Sequence, residues 1–224
     1  MLIGKRPPRP AVKSQRDPQR TRDRLLEAAF KEVYRHGFQG ADIDAVVERA
    51  QVTKGALYHH FDGKEALGYA LVDEFIMQIT RDKWLLPLQS GLNPIDTLIE
   101  IVQDTSLAPP QVGGGCPLNN LAQEMSPLDE GFRQRLAFVF NAWQGAIAMA
   151  LQEGQERGLV RRDVNPAETS TYIVAVYEGY ISLAKNAQDD KLLNSGMQRI
   201  TRYLESLRPA GRATSTRKRR TRMR

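Results

Sequence analysis

Two short helical patterns joined by a tight turn lie between residues 42 and 65, in the run DIDAVVERAQVTKGALYHHFDGKE. The first pattern places apolar residues at the spacing of one helix face, namely Ile43, Val46, Val47 and Ala50. The second begins after Thr53, whose hydroxyl suits an N-cap, and runs for barely two turns to Phe61. Because so short a helix is unstable alone, the pair predicts a helix-turn-helix.

The second helix carries groups suited to DNA on its outer face. A helix N-terminus has free N–H groups and a partial positive charge, which suit phosphate oxygens. Gly55 has no Cβ, so a DNA strand or base edge can approach the backbone there. His59 and His60 are adjacent and point roughly 100° apart on a helix, so they cannot chelate one ion from the same side. We therefore expect no metal site, and we assign His60 to packing.

The run TKGALYHHFDGKEAL, preceded by TRDRLLEAAFKEVYRHGF and DAVVERAQV, resembles the DNA-binding domain of the TetR family of bacterial transcriptional regulators. The resemblance covers about residues 20 to 70. It implies that the second helix of the motif enters the major groove, with DNA contacts from Thr53, Lys54, Gly55, Tyr58, His59 and Lys64. Two positions depart from the family. Gln51 replaces the usual turn glycine, and Ala41 replaces the usual capping Thr or Ser, so we expect positive φ at Gln51 and a cap at Asp42.

The net charge of +6 conceals a division between tails and body. Residues 1–22 hold seven Lys or Arg against one Asp, and residues 211–224 hold seven with no acid, so the body carries about −7. The N-terminal arm is placed either to reach a phosphate backbone or minor groove, or to remain a solvated tail. We expect the C-terminal tail to be disordered in the free protein, adding sequence-independent affinity for DNA or binding other anions.

Several classes of protein are disfavoured by absences in the sequence. No apolar run approaches the roughly 20 residues needed to span a bilayer, and the N-terminus has no signal-peptide core, so we expect no membrane partner. A single Cys excludes an intrachain disulfide and fits a cytoplasmic location. The three His lie at positions 36, 59 and 60, without a catalytic triad, phosphate loop or metal set. We therefore expect neither an enzyme nor a cofactor.

The pattern of helix caps and breakers predicts an all-α chain of about nine helices. Asp17-Pro18 opens the first helix, which Gly37 ends, and a long helix runs from Ala66 to Trp84 and is ended by Pro87 and Gly91. Later helices are expected at about 93–106, 117–125, 129–157, 165–185 and 189–207. We divide the chain into a basic disordered arm (1–16), a helix-turn-helix DNA-binding domain (17–65, the N-terminal head), a helical ligand-binding and dimerisation domain (66–208, the C-terminal domain) and a basic disordered tail (209–224).

The last two predicted helices carry apolar faces wider than a monomer core requires. In the TetR family the corresponding pair forms a four-helix bundle with a symmetry mate, which implies a homodimer whose two recognition helices read a pseudo-palindrome. The alternative is that these faces are simply core.

The family also keeps a mostly apolar effector pocket between the head and the dimer helices. Candidate lining residues, each alternatively an ordinary core residue, are Leu121, Phe132, Phe140, Trp143, Met149 and Tyr177. Cys116 follows three glycines at a helix N-terminus, where the helix dipole lowers a thiol pKa. The segment GGGCPLNNLAQE is similar to the G-C-P-x-x-N-L stretch of a TetR subgroup, some of whose members sense reactive electrophiles or small unsaturated acids. Cys116 is either a thiolate sensor or a small buried hydrophobe.

The resemblance thus implies a cytoplasmic, homodimeric, DNA-binding transcriptional regulator. We expect a repressor that binds a pseudo-palindromic double-stranded operator and is released by a small-molecule effector or by modification of Cys116. The alternatives are a ligand-independent or activating regulator, and a non-specific nucleic-acid-binding protein driven by the basic tails. The last class predicts steep salt dependence without sequence preference.

Overall fold

The computed structural model describes residues 17–104 and 114–210. Over these two ranges the chain is all-α, without a strand, and forms nine helices, as predicted. They are α1 (Pro18–Gly40), α2 (Ile43–Ala50), α3 (Lys54–His60), α4 (continuous through Lys64–Ala70, Leu71–Ile76, Met77–Thr80, Arg81–Leu85 and Leu86–Leu88), α5 (Pro94–Gln103), α6 (Pro117–Met125), α7 (Glu130–Glu156), α8 (Pro166–Ala187) and α9 (Asp190–Ser206). The predictions for the arm at 1–16 and for nearly all of the C-terminal tail concern residues outside the described ranges.

The local geometry of the helix-turn-helix follows the sequence signals. Gly37 interrupts α1 with a φ of 75°, outside the helical region. The Asp42 carboxylate caps α2 by accepting from Asp44 N at 2.9 Å. Gln51 ends α2 in the left-handed conformation, with a φ of 52°, which confirms the expected positive φ at a non-glycine residue. The Thr53 hydroxyl caps α3, as predicted.

The predicted end of α4 is confirmed, and that of α5 is wrong. Helix α4 ends at Leu88, one residue after Pro87 and before Gly91, which has a φ of 72°. The π-type stretches Leu71–Ile76 and Arg81–Leu85 widen α4 before that proline. Helix α5 ends at Gln103 instead of about 106, because Asp104 adopts an extended ψ of 102°.

The buried apolar residues form two clusters. The cluster in the head joins α1, α2, α3 and the start of α4, and consists of Leu25, Leu26, Ala28, Ala29, Val46, Val47, Ala50, Leu57, Phe61, Leu67 and Ala70. The larger cluster is built around α7, which packs against α4, α5, α6 and α8. No helix in the described ranges has both the length and the apolar character needed to cross a bilayer.

An aromatic contact joins the head to the C-terminal domain. The ring of Phe38, at the end of α1, packs edge-on against Phe132 of α7 with centroids 4.6 Å apart. Tyr69 of α4 contacts the same ring at 5.0 Å. Gly68 lies against this pair, and a Cβ added there would come within 2.4 Å of Phe38. The orientation of the head therefore depends on close packing at Phe132.

Candidate DNA interface and effector region

Helix α3 turns its predicted DNA-contact residues outward. Leu57 is fully buried in the head cluster, whereas its neighbour Tyr58 is 55% exposed. Thr53, Lys54, Gly55 and His59 are exposed as well. The Arg22 guanidinium lies over the Phe61 ring at 4.5 Å and covers the end of the helix. One short helix is thus fixed from beneath and leaves its outer face open.

The N-terminal turn of α3 leaves space for a close approach. The Thr53 hydroxyl accepts from Ala56 N at 3.2 Å, which orients this turn. A Cβ added to Gly55 would meet only the Thr53 oxygen, at 3.9 Å. The space above Gly55 is therefore open for a DNA strand or base edge.

The two lysines of the predicted interface have different environments. The Lys54 Nζ lies 2.6 Å from Asp44 Oδ1, and this hydrogen bond raises the pKa of Lys54, which keeps it charged. The Lys64 Nζ instead donates to the carbonyls of Gln39 at 2.9 Å and Ala41 at 2.6 Å. Lys64 therefore has one of three donors left for a phosphate, and it also holds the α1–α2 link.

The two histidines of α3 also differ. His59 is exposed, whereas His60 is partly buried. Burial, and then the charges of His59 and Arg22, lower the pKa of His60, which favours its neutral form. No group of three metal-ligating side chains occurs within the described residues.

Part of the predicted effector region forms a contiguous aromatic cluster. Trp143 of α7 contacts Tyr177 of α8 at 5.8 Å and Phe140 at 6.4 Å between ring centroids. The sequence analysis did not include Trp84 of α4, which contacts Trp143 at 4.6 Å and Tyr177 at 5.1 Å. Burial, and then the nearby Cys116, raise the pKa of Tyr177. Four of the predicted effector residues, if Cys116 is included, thus lie in one region.

Three predicted effector residues lie elsewhere. Met149 is 64% exposed, because it follows the buried Ile147 by two residues and so points to the opposite face of α7. Its assignment to an internal pocket is therefore wrong for the single chain. Phe132 is fully buried at the contact with the head. Leu121 is buried on α6, on the side facing α1.

Two charged residues that the sequence analysis missed are buried beside the aromatic cluster. Glu178 of α8 is 7% exposed, and neither of its carboxylate oxygens has a well-aligned hydrogen-bond partner in the described part of the chain. Burial raises the pKa of Glu178 to about 7. The Lys83 Nζ of α4 donates to the Tyr177 hydroxyl at 3.0 Å, and burial lowers its pKa. Buried polar groups are costly, so such a cluster is typical of a functional region.

The environment of Cys116 contradicts the expected thiolate. Cys116 is partly buried at the N-cap of α6, and its side chain makes no capping hydrogen bond. Burial, and then the neighbouring Glu178 carboxylate, raise the pKa of the Cys116 thiol well above its usual range. The N–H groups of Leu118 and Asn119 act in the opposite sense but do not outweigh these effects. The prediction of a lowered thiol pKa was wrong because desolvation exceeds the helix-dipole effect.

Helix α6 touches the head at both of its ends. The Tyr34 hydroxyl of α1 donates to the Gly115 carbonyl at 2.8 Å, next to Cys116. At the other end, the Glu124 carboxylate accepts from the backbone N–H groups of Phe38 and Gln39, each at 2.8 Å. We call this second contact the Glu124 clasp. It joins α6 directly to the segment that leads into α2.

Comparison with known proteins decides the family. Residues 25–71 match the family described as "Bacterial regulatory proteins, tetR family", and residues 91–200 match "Tetracyclin repressor-like, C-terminal domain". The chain belongs to the TetR family. It is accordingly a DNA-binding transcriptional regulator and not an enzyme.

Relatives of this TetR-family regulator align over most of its length. It is 28% identical over 196 residues to the HTH-type transcriptional repressor DhaR of Mycobacterium sp. (strain GP1), an alignment that covers 84% of this chain and 93% of DhaR. The crystal structure of reduced NemR of E. coli superposes with a TM-score of 0.72 at 26% identity, over 80% of this chain and 94% of NemR. A TetR transcriptional regulator from Chloroflexus aurantiacus J-10-FL superposes with a TM-score of 0.77 at 28% identity, over 88% of this chain and all of the other.

Proposed function

We propose that this TetR-family regulator is a cytoplasmic homodimeric repressor that binds a pseudo-palindromic operator through α3 and is released by a small-molecule effector. The observation that carries the proposal is the division of α3 between the buried Leu57 and an outer face with Tyr58 exposed. The relatives DhaR, AcnR and NemR are named as transcriptional repressors, which favours repression over activation.

The exposed face of α8 and α9 supports the homodimer. Tyr172 and Leu183 of α8 are 49% and 57% exposed, although both are large and apolar in character. A hollow of about 380 Å³ lies between α8 and α9, and the ring of Tyr172 packs on Tyr203 at 4.8 Å beside it. A second copy of this helix pair would cover the face in a four-helix bundle and place two α3 helices on a two-fold axis.

The release step is assigned to the C-terminal domain. Phe140, Trp143 and Tyr177, with Cys116 next to Tyr177, are the effector-contact residues that we propose there. We give a reversible effector preference over Cys116 modification, because the raised pKa keeps the thiol protonated at neutral pH. Under this proposal Cys116→Ser leaves operator binding intact, and wild type treated with N-ethylmaleimide releases operator no faster than the variant does. Faster release that requires Cys116 would restore the sensor hypothesis.

The DNA-binding proposal is tested by selecting an operator from random DNA and then measuring Tyr58→Ala. We expect the variant to lose about five-fold or more in affinity for the selected site, since a base contact contributes about 1–3 kcal/mol. Its affinity for random DNA should stay unchanged. Phe138→Ala, which removes a 65% exposed aromatic ring on α7, is the matched control. Unchanged operator affinity in Tyr58→Ala, or a wild type without sequence preference, would favour the tail-driven alternative.

A further inference from the structure

A cleft of about 820 Å³ lies between the head and the C-terminal domain. Its walls come from α1, α4, α6 and the end of α8, and its apolar floor consists of Phe30, Val33, Leu71, Ile76 and Leu121. Sites for small molecules have this range of volume and occur preferentially where two domains meet. The cleft is separate from the aromatic cluster, since none of Trp84, Trp143 and Tyr177 lines it.

Two cations line this cleft, one on α1 of the head and one on α8 of the C-terminal domain. Lys185 of α8 is partly buried, and its Nζ donates to Asn120 Oδ1 at 2.9 Å. Asn120 is itself fixed, because its Nδ2 donates to the Gly114 carbonyl at 2.6 Å. Arg35 of α1 lines the other wall, and no ion pair to it occurs among the described residues.

One acidic residue also lines the cleft, among those that the structure describes. This is Glu124, whose two carboxylate oxygens accept from Phe38 N and Gln39 N in the Glu124 clasp. Its charge is therefore directed at the end of α1. Lys185 and Arg35 together leave an excess of positive charge at the rim of a cleft with an apolar floor and polar walls.

We propose that this cleft binds an amphipathic organic anion. The apolar body of the ligand lies on the floor, and its carboxylate, sulfonate or phosphate group lies between Lys185 and Arg35 as a charge-assisted hydrogen-bond acceptor. A neutral ligand of the same shape loses these bonds, and a cation is repelled. The inference goes beyond the proposed function, on which its regulatory role rests, because it adds a second ligand site apart from the effector-contact residues Phe140, Trp143 and Tyr177.

The position of the cleft gives such a ligand direct access to the head. Gly37 and Glu124 both line it, so a ligand in the cleft lies beside the Glu124 clasp and the segment that leads into α2. Arg35 belongs to the head and Lys185 to the C-terminal domain. An anion held between them therefore binds with an affinity that depends on how the two regions are placed, and it shifts the population toward the placement that it binds best.

The proposal is tested with 8-anilino-1-naphthalenesulfonate, a fluorescent amphipathic anion, and with N-phenyl-1-naphthylamine, its neutral counterpart without the sulfonate. We expect the double variant Arg35→Met, Lys185→Met of the full chain to bind the sulfonate at least about ten-fold more weakly, a loss of about 1.4 kcal/mol or more, because both charged hydrogen-bond donors are removed. Binding of the neutral probe should change by less than about two-fold. The matched control is Arg162→Met, Lys191→Met, which removes the same charge from exposed positions outside the cleft.

A second variant tests the location of the site independently of charge. Ser182 lies at the cleft and accepts from Asn119 Nδ2 at 3.3 Å, so Ser182→Trp places a large ring there and should weaken both probes. Octanoate should displace the sulfonate from the wild type. The proposal is overturned if the wild type does not bind the sulfonate, if the double variant binds it as tightly as the wild type, or if the control pair loses as much.

Operator binding by the same preparations separates this inference from the proposed function. If the double variant binds its operator normally without added probe, yet binds the sulfonate like the wild type, the cleft proposal is contradicted and the repressor proposal is not. If the wild type binds no DNA sequence specifically, the repressor proposal is contradicted, whereas the probe titrations still test the cleft proposal. If both the cleft proposal and the repressor proposal are correct, saturating octanoate should change the operator affinity of the wild type and leave that of the double variant unchanged.

Discussion

The head and the C-terminal domain place their polar residues in opposite ways. On α3, Leu57 is fully buried and its neighbour Tyr58 is 55% exposed, so a small apolar core supports a polar outer face. On α8, Tyr177 and Glu178 are adjacent and both are more than nine-tenths buried. Recognition of DNA needs groups that are already in water, whereas sensing needs groups that lie where a conformational change alters their surroundings. The first property is local to one helix, and the second requires several helices to pack together.

The largest effect that we expect from this contrast is that of Gly55→Val. A Cβ at Gly55 meets nothing closer than 3.9 Å in the free protein, so the melting temperature should not fall. The added side chain occupies the space that DNA would use, and operator affinity should drop to the non-specific level, about a thousand-fold or more. Gel shifts with the selected site and with random DNA measure the specific and non-specific affinities, and a thermal melt measures the melting temperature. A variant that still prefers its operator would show that α3 does not approach DNA at this residue.

A glycine at the boundary between the two regions should show the opposite behaviour. A Cβ at Gly68 would lie 2.4 Å from Phe38 and 2.6 Å from Phe132, so Gly68→Ala overpacks the contact between head and C-terminal domain. We expect a loss of about 3 kcal/mol in unfolding free energy and a melting temperature lower by roughly 5–10 °C. Gly145→Ala is the control, since its new Cβ meets nothing within 4 Å. Equal melting curves for the two variants would mean that the head is not fixed at Phe132.

The buried carboxylate of the C-terminal domain predicts a specific dependence of stability on pH. The pKa of Glu178 is about 7 in the folded chain and 4.5 in a free glutamate. Between these values the folded state retains a proton that the unfolded state has lost, so stability contributed by the protonated group falls as pH rises toward 7. Glu178→Gln should therefore match the wild type near pH 4.5 and exceed it by about 2–3 kcal/mol at pH 8.

Melting curves at both pH values measure this difference. Glu153→Gln changes the same groups at an exposed position of α7, and it should follow the wild type at each pH. The prediction fails if Glu178→Gln is equally or less stable than the wild type at pH 8, since the Lys83 ammonium would then compensate the buried charge fully.

The fold and the local geometry of the helix-turn-helix were largely predictable from the sequence because their signals are local. Caps at Asp17, Asp42 and Thr53 and the break at Gly37 lie within a few residues of the turns that they determine. The conformation of Gln51 was predictable for the same reason, since the tight turn after α2 requires a positive φ at this position even without a glycine. Pro87 and Gly91 likewise lie within three residues of Leu88, where α4 ends.

The effector region was less predictable because its properties depend on contacts between residues that are distant in sequence. Cys116 stands at a helix N-terminus, but its pKa is set mainly by burial and by Glu178, 62 residues further along the chain. One signal was available: Glu178 follows the buried Val174 by four residues in the apolar run IVAVYEGYISLA, which places it on the inward face of α8. Nothing near Lys185 or Arg35 in sequence indicated that the two would face one cleft.

The smallest expected effect is that of Glu124→Gln, which weakens the one carboxylate contact between α6 and the head. A neutral amide offers one oxygen where the carboxylate offers two, and its hydrogen bonds are about half as strong, so about 1 kcal/mol should be lost. We expect several-fold faster amide hydrogen exchange at Phe38 and Gln39 and a few-fold weaker operator binding, with the melting temperature nearly unchanged. Glu156→Gln, at an exposed end of α7, should change none of these. If exchange at Phe38 and Gln39 rises while operator binding stays constant, the clasp orders the end of α1 without positioning α3, and coupling between the two regions must pass through other contacts, such as Phe132 and the Tyr34–Gly115 hydrogen bond.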